Sequence, residues 1–162
     1  MTDPIVAEPA WGAKHLAAEV AELGPDALAQ FPAVQRTVNR YAFAFDQRDL
    51  ATLREVMTAD VEWAATVADQ AAYGPFVGLA AVMDYMTAAM SAQTDQRRHV
   101  LTNPVLRSCA DGQARLDAYL TLMSAAHGRS SVLTTGFYSF WLRLENAEWR
   151  IERLHLGLDT AE

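Results

Sequence analysis

Four long segments between residues 99 and 158 alternate apolar and polar side chains, and this pattern constrains the fold most strongly. In order they read HVLTNPVLRS, ARLDAYLTLMSAA, SSVLTTGFYSFWLRL and EWRIERLHLGL. Alternation with many β-branched and aromatic residues predicts strands. Short polar or glycine-containing separators stand between them and predict hairpin turns. These separators are Asp111-Gly112, His127-Gly128-Arg129 and Glu145-Asn146.

The preceding part of the chain has the periodicity of helices. Apolar residues recur every three or four positions from Ala33 to Arg48, and Asp49 is placed to cap a second, short helix. LAAVMDYMTAAM predicts a third helix, and VEWAATVA a strand. Gly74, Pro75 and Gly78 are expected to break the chain before that third helix. Helices followed by long antiparallel strands predict an α+β fold in which a curved sheet wraps over the helices.

Prolines set the first 32 residues apart from the rest. Within them, AKHLAAEVAELG has Leu16, Val20 and Leu23 on one helical face, and Gly24 follows as a stop. We therefore expect an N-terminal extension, 1–32, with one short helix. It would cover a pocket, join a partner subunit or dock loosely as an arm. Residues 33–162 are expected to form the single main domain.

Charge and composition exclude several classes of partner. The formal net charge is -7, and no basic stripe is present, which argues against nucleic acid and anionic membranes as partners. No segment has the length or hydropathy of a membrane span, so the cytoplasm is the expected location. The single cysteine, Cys109, excludes an intrachain disulfide. The four histidines are dispersed and GPFVG lacks the lysine of a phosphate-binding loop, so we expect no metal and no cofactor.

Asp46 and His99 are the residues best suited to carry chemistry. A carboxylate that contacts one imidazole nitrogen fixes the tautomer and leaves the other nitrogen free to accept a proton. The alternatives are a helix-end acid paired with Arg40 or Arg48, and a polar histidine that merely opens a strand. Strand alternation places His99, Leu101 and Asn103 on one face, which favours an inward His99.

Several tracts together resemble the SnoaL-like branch of the nuclear transport factor 2 superfamily. They are RYAFAFDQRDLATLREVMTADVEW, GPFVGLAAVMDYM, RRHVLTNPVL and the closing WRIERLHL. The resemblance implies a cone-shaped barrel: a strongly curved mixed sheet around N-terminal helices, enclosing a deep apolar pocket. Its enzymes include dehydratases, a dehydrochlorinase, isomerases, polyketide cyclases and an epoxide hydrolase, so the site must decide the reaction.

The resemblance also implies roles for individual residues. Asp46 matches the helix aspartate and His99 the strand histidine of scytalone dehydratase and hexachlorocyclohexane dehydrochlorinase, where the two contribute to proton abstraction. His127 falls near a second pocket histidine of scytalone dehydratase. Phe45 and Trp63 stand where that enzyme has tyrosines, which argues against scytalone itself as substrate.

A further set of side chains is expected to contact a small apolar molecule, such as a cyclic compound. Tyr41, one helical turn before Phe45, is a candidate hydroxyl donor in the catalytic group. Asn103 either binds a ligand oxygen or caps the turn before Pro104, and most of the aromatic and methionine residues belong to the core. The substrate-binding candidates are Trp63, Tyr73, Phe76, Met86, Asn103, Tyr119, His127 and Tyr138.

The leading hypothesis is a cofactor-independent lyase or isomerase in which Asp46 and His99 form a general base. The alternatives are a tailoring cyclase of polyketide or terpenoid biosynthesis and a non-catalytic ligand-binding or accessory subunit. Because superfamily members often pair through the exposed face of the sheet, a homodimer or higher homo-oligomer is also expected.

Overall fold

The computed structural model describes residues 22–68 and 71–160, with the side chain of Ala71 excepted. The predicted helix within residues 13–24 lies almost entirely outside these residues. The described elements are α1 (Pro25–Gln47), α2 (Leu50–Glu55), β1 (Met57–Val67), β2 (Ala71–Val77), α3 (Leu79–Ala92), β3 (Gln96–Ala110), β4 (Gln113–Ala126), β5 (Arg129–Glu145) and β6 (Glu148–Leu158).

Helix α1 begins eight residues before the predicted start, so the expected boundary at residue 32 falls inside it. Pro25 occupies the first turn, where its missing N–H costs nothing. Pro32 lies within the helix and lacks the N–H that would bond the carbonyl of Leu28. Both residues are exposed, so water can solvate that carbonyl and the helix continues through the proline.

The predicted cap of α2 is confirmed. Asp49 precedes the helix, and its carboxylate accepts from the backbone N–H of Thr52 at 3.0 Å and from the hydroxyl of Thr52 at 2.6 Å. The N-terminal amides of a helix have no partner inside it, and an acidic cap supplies one. The sharp turn between α1 and α2 is thereby fixed directly after Asp46.

The six strands form one mixed sheet in the order β2-β1-β6-β5-β4-β3. β1 and β6 are parallel, and every other neighbouring pair is antiparallel. The three predicted hairpins are present, with turns at residues 111–112, 127–128 and 146–147. The segment around Gly74 and Pro75, expected to be a break, instead forms the edge strand β2. An edge position tolerates these residues because one side of the strand needs no ladder partner.

Helices cover one face of the sheet, which we call the inner face; the other is the open face. α1 packs on β3, β4 and β6, and α3 packs on β1 and β2. Inner-face side chains from neighbouring strands are buried, for example Leu120, Tyr138 and Leu156. The α+β prediction is confirmed. Within the described residues, β2 and β3 are the two edge strands of the sheet, and they do not pair with each other.

The described helices include none with the length and hydropathy needed to cross a membrane.

Gly136 marks a close approach between β5 and β6, and we expect its substitution to be costly. A Cβ at this position would lie 2.0 Å from the carbonyl oxygen of Gly157, which belongs to the sheet backbone and cannot move freely. Gly136→Ala should therefore destabilise the protein by about 1–3 kcal/mol or more in urea unfolding. Gly24→Ala is the control, because nothing lies within 4 Å of its added Cβ. Equal stability of the two variants would contradict this account of the packing.

Candidate active site

The fold brings the carboxylate of Asp46 against the imidazole of His99. Asp46 is the second-last residue of α1, and His99 lies near the start of β3. In the β3–β4 ladder His99 pairs with Leu122, and Leu101 pairs with Leu120, both of which are buried. Paired residues of an antiparallel ladder project to the same face. His99 therefore projects from the inner face, toward the helix that carries Asp46.

Two hydrogen bonds hold this pair. Asp46 Oδ1 lies 2.7 Å from His99 Nδ1, and Asp46 Oδ2 accepts from the backbone N–H of His99 at 2.9 Å. The side chains are only 7% and 8% exposed. A carboxylate can only accept, so it selects the tautomer that carries hydrogen on Nδ1 and leaves the lone pair of Nε2 available. Asp46 and His99 thus have the geometry of an oriented general base.

Aromatic side chains surround the imidazole. The ring of Phe45 meets the His99 ring edge-on at a centroid distance of 5.0 Å, and the ring of Tyr138 lies at 6.4 Å. Such contacts restrict the orientation of the imidazole. Phe45 thus forms an apolar wall beside the imidazole.

Two buried phenols, Tyr41 and Tyr138, lie deeper on the inner face. Their rings are 6.2 Å apart, and the indole Nε1–H of Trp63 donates to the hydroxyl of Tyr41 at 3.2 Å. Burial raises the pKa of the Tyr41 phenol. Burial, followed by the proximity of Tyr41 and Asp46, also raises the pKa of Tyr138. Both phenols therefore stay protonated at neutral pH, and a hydrogen bond joins their two hydroxyls. Because the Tyr41 oxygen accepts from Trp63 and Tyr138, the Tyr41 proton can be donated to an oxygen that gains negative charge.

A stack of three aromatic rings adjoins these phenols. Tyr85 stacks on Phe76 with ring centroids 4.4 Å apart, and its ring lies 4.6 Å from that of Trp63. Met86 is fully buried beside it on α3. The predicted set of Trp63, Phe76 and Met86 is thus assembled on the inner face. Tyr85 was not among the predicted residues, although its spacing of three from Val82 places it on the buried side of α3.

Four predicted substrate-binding residues are not brought to this site. Tyr73 and Tyr119 are 47% and 54% exposed, Tyr73 on the edge strand and Tyr119 among the outward residues of β4. His127 occupies a turn with a φ of +50°, where its side chain is exposed. Asn103 is exposed because the β3–β4 register shifts between Thr102 and Val105, which ends the alternation that placed it with His99.

His155 lies on the open face of β6 and takes no part in this site. Its Nε2 is 3.3 Å from the hydroxyl of Thr66. Burial first, and the charge of Arg153 second, lower the pKa of His155 below its ordinary value of 6.5. Below pH 6.5 the unfolded chain therefore binds a proton that the folded chain resists binding, so stability should fall as the pH falls.

We expect His155→Gln to remove part of this acid sensitivity. Urea unfolding of the wild type and the variant at pH 7.5 and pH 5 would measure the difference in slope, and His127→Gln, at an exposed turn, is the matched control. The account is contradicted if His155→Gln and His127→Gln lose the same stability between the two pH values.

The described residues contain no group of three or more histidine, cysteine, aspartate or glutamate side chains that could hold a metal ion.

A groove of about 650 Å³ runs along the solvent side of α1 and α2 and is lined by residues such as Arg36, Phe43 and Thr52. Neither Asp46 nor His99 lines it. The aspartate–histidine pair and this groove are therefore separate features of the fold.

Comparison with known families agrees with the helix–strand architecture around this pair. The model of the SnoaL-like domain matches residues 26–155, which include all of α1 but its first residue and most of the sheet. The chain belongs to the SnoaL-like family. This family lies in the NTF2-like superfamily and includes polyketide cyclases and isomerases. No curated protein matches the sequence.

Solved structures of similar fold share little sequence with this SnoaL-like chain. An NTF2-like protein with a cystatin-like fold from Novosphingobium aromaticivorans aligns with a TM-score of 0.64 at 21% identity, covering 81% of this chain and 82% of that one. Aln2 from a Streptomyces species aligns at 0.69 and 18% identity, covering 86% and 95%. A protein assigned as the β subunit of an aromatic-ring-hydroxylating dioxygenase from N. aromaticivorans aligns at 0.70 and 18%, covering 83% and 94%. These similarities establish the fold alone.

Proposed function

We propose that this SnoaL-like protein is a cofactor-independent lyase or isomerase whose general base is His99, oriented by Asp46. The observation that carries the proposal is the two-point contact of the Asp46 carboxylate with the ring and the backbone of His99. A carboxylate buried on the inner face is costly unless it is paired. Here the partner is an imidazole, whose second ring nitrogen is a proton acceptor.

In the proposed reaction Nε2 of His99 removes a proton from an acidic C–H bond of the substrate. Asp46 stabilises the imidazolium that forms. In an elimination the electron pair left on carbon forms the new double bond, and the leaving group departs from the adjacent carbon with its bonding pair. The imidazolium then gives its proton to the leaving group or to water. In an isomerisation the imidazolium returns the proton to a different carbon, so the base is regenerated in the same turnover.

Tyr41 is proposed to assist by donating a hydrogen bond to a substrate oxygen that becomes negative as the C–H bond breaks. Its buried phenol stays neutral, and the Trp63 N–H fixes its position. Tyr138, with the stack formed by Trp63, Phe76 and Tyr85, would contact the apolar body of the substrate. These contacts favour a small molecule with flat, apolar surfaces over a charged metabolite.

Solvent deuterium exchange tests proton abstraction whatever the leaving group is. The protein is incubated in D₂O with a panel of small cyclic ketones and hydroxyketones, and NMR follows the loss of each α-proton. We expect at least one compound to exchange stereospecifically and faster than in buffer alone. Compounds that bind to the inner face but never exchange would contradict the general-base proposal.

A tailoring cyclase would use the same base, because deprotonated carbon can attack a carbonyl of the same molecule. Membership of a family that includes polyketide cyclases favours this as the second candidate. Analysis of products separates the two, since cyclisation forms a carbon–carbon bond and elimination releases a leaving group. The third candidate, an accessory subunit, is suggested by the dioxygenase β-subunit fold and would require no exchange activity of this chain.

The proposed assembly is a homodimer formed through the open face of the sheet. Val100, Val105 and Tyr119 are exposed there, on the side opposite to His99 and Leu120. A second copy would remove these apolar side chains from water. We expect light scattering to give the mass of a dimer, and Tyr119→Glu to shift it to a monomer. A wild-type monomer at micromolar concentration would contradict the proposal.

A further inference from the structure

The end of α1 is tied to the start of β3 by contacts beyond the aspartate–histidine pair itself. As one of the last four residues of α1, Asp46 has a backbone carbonyl with no amide partner inside the helix. Gln96, the first residue of β3, donates its side-chain Nε2–H to that carbonyl at 2.8 Å. The same nitrogen also donates to the carbonyl of Arg97 at 2.9 Å. The amide of Gln96 therefore bridges the helix end and the strand with both of its hydrogens.

This bridge and the contacts of the carboxylate converge on one residue. The backbone oxygen of Asp46 is held by Gln96, its Oδ2 by the His99 backbone N–H, and its Oδ1 by the His99 ring. All three donors come from residues 96–99 of β3. The backbone and both carboxylate oxygens are thus fixed relative to the same short piece of strand.

A neighbouring contact strengthens the junction. Arg48, the C-cap of α1, has a φ of +57°, which a residue with a side chain adopts only at some cost. In this conformation its Nη2 donates to the backbone carbonyl of Gln93 at 2.9 Å, just before β3 begins. The helix end is therefore attached at Asp46, and again two residues later at Arg48, to the segment that leads into His99.

We infer that Gln96 is a positioning residue for the proposed general base. It does not itself face the reacting atoms; it sets the distance and angle at which Asp46 meets His99. Small misplacements of a base lower the rate of proton transfer steeply, even when every catalytic group is present. The expected effect of Gln96 on turnover rests on the proposed function. Its effect on the hydrogen bonds of His99 can be measured without any turnover.

The test compares Gln96→Met, which keeps the length of the side chain and removes its donors, with Gln93→Met as the matched control. The contact between Arg48 and Gln93 runs through the backbone carbonyl of Gln93, which that control retains. NMR measures hydrogen exchange of the His99 Nδ1–H and the His99 backbone N–H, with the backbone N–H of Phe140 in the core as reference. We expect Gln96→Met to speed exchange of both His99 protons by about two- to tenfold, the worth of one hydrogen bond, and to leave Phe140 unchanged.

Unchanged exchange at His99, or equal acceleration at His99 and Phe140, would overturn the inference. On any substrate that the protein converts, Gln96→Met should lower kcat with little change in KM, and Gln93→Met should change neither. Faster exchange at His99 in a protein whose reaction survives His99→Ala would reject the proposed function and keep the positioning role. Loss of the reaction in His99→Ala with unaltered exchange in Gln96→Met would keep the proposed function and reject the positioning role.

Discussion

Replacing His99 with alanine is expected to lower kcat/KM by about 10²–10⁴-fold, the usual contribution of a positioned general base. The substitution removes the imidazole that takes the substrate proton in the proposed reaction. It also leaves the Asp46 carboxylate without its ring partner in a site where the aspartate side chain is only 7% exposed. Some loss of stability, about 1–3 kcal/mol, should accompany the loss of rate.

The control for His99→Ala is His127→Ala, which removes an exposed turn histidine. We expect this control to keep both the activity and the stability of the wild type. Steady-state rates and urea unfolding of the three proteins separate chemistry from folding. A His99→Ala protein as active as the wild type would remove His99 from the mechanism, whatever its stability.

Asp46→Asn is expected to lower the rate nearly as much as His99→Ala, because it would change the hydrogen bonds that set the His99 tautomer. The asparagine oxygen can accept from the His99 backbone N–H, which leaves the asparagine NH₂ facing Nδ1. Nδ1 then has to accept, so the proton moves to Nε2 and the base is lost. We expect kcat to fall by about 10²–10⁴-fold while the fold persists.

Asp84→Asn, an exposed position on α3, is the matched control for the change of charge. Rates of the two variants should be measured at the same pH, with folding checked by circular dichroism. If Asp46→Asn retained wild-type kcat, Asp46 would be a structural acid at a helix end and would not orient His99.

Local sequence patterns predict most of the secondary structure because its signals lie within a few residues. The alternation of β3 to β6 and the polar or glycine-containing turns between them are short-range features, as is the cap at Asp49. The predicted start of α1 is wrong because Pro32 resembles a boundary, whereas its solvent-side position makes it tolerable inside the helix. β2 escapes prediction because Gly74 and Pro75 suggest a break, whereas pairing with β1 makes the segment an edge strand.

The contact between Asp46 and His99 could not be predicted from the residues alone. The two are 53 positions apart, and only the path of the chain from α1 to β3 brings them together. The family resemblance predicted the contact, because the fold that it implies brings this helix and this strand together. Strand alternation then predicted the direction of the His99 side chain correctly. It failed for Asn103, because the register shifts between Thr102 and Val105 and the sequence pattern does not indicate such a shift.

Gln96 and Tyr85 escape prediction for different reasons. Tyr85 has the helical spacing of a buried residue, but that spacing does not distinguish a ring that lines a site from one that only fills the core. Gln96 is an exposed polar residue at the edge of a strand, and its importance depends on an unpaired carbonyl at the end of a distant helix. Sequence patterns record neither which carbonyl lacks a partner nor which side chain reaches it.

The protonation of the two His99 ring nitrogens tests the central claim most directly. ¹⁵N NMR of the unliganded protein, at a pH where the ring is neutral, distinguishes the two tautomers by the chemical shifts of Nδ1 and Nε2. We expect a protonated Nδ1, bonded to Asp46, and an unprotonated Nε2. An imidazole protonated on Nε2 with a bare Nδ1 would contradict it, because no lone pair would then be available to take a proton from the substrate.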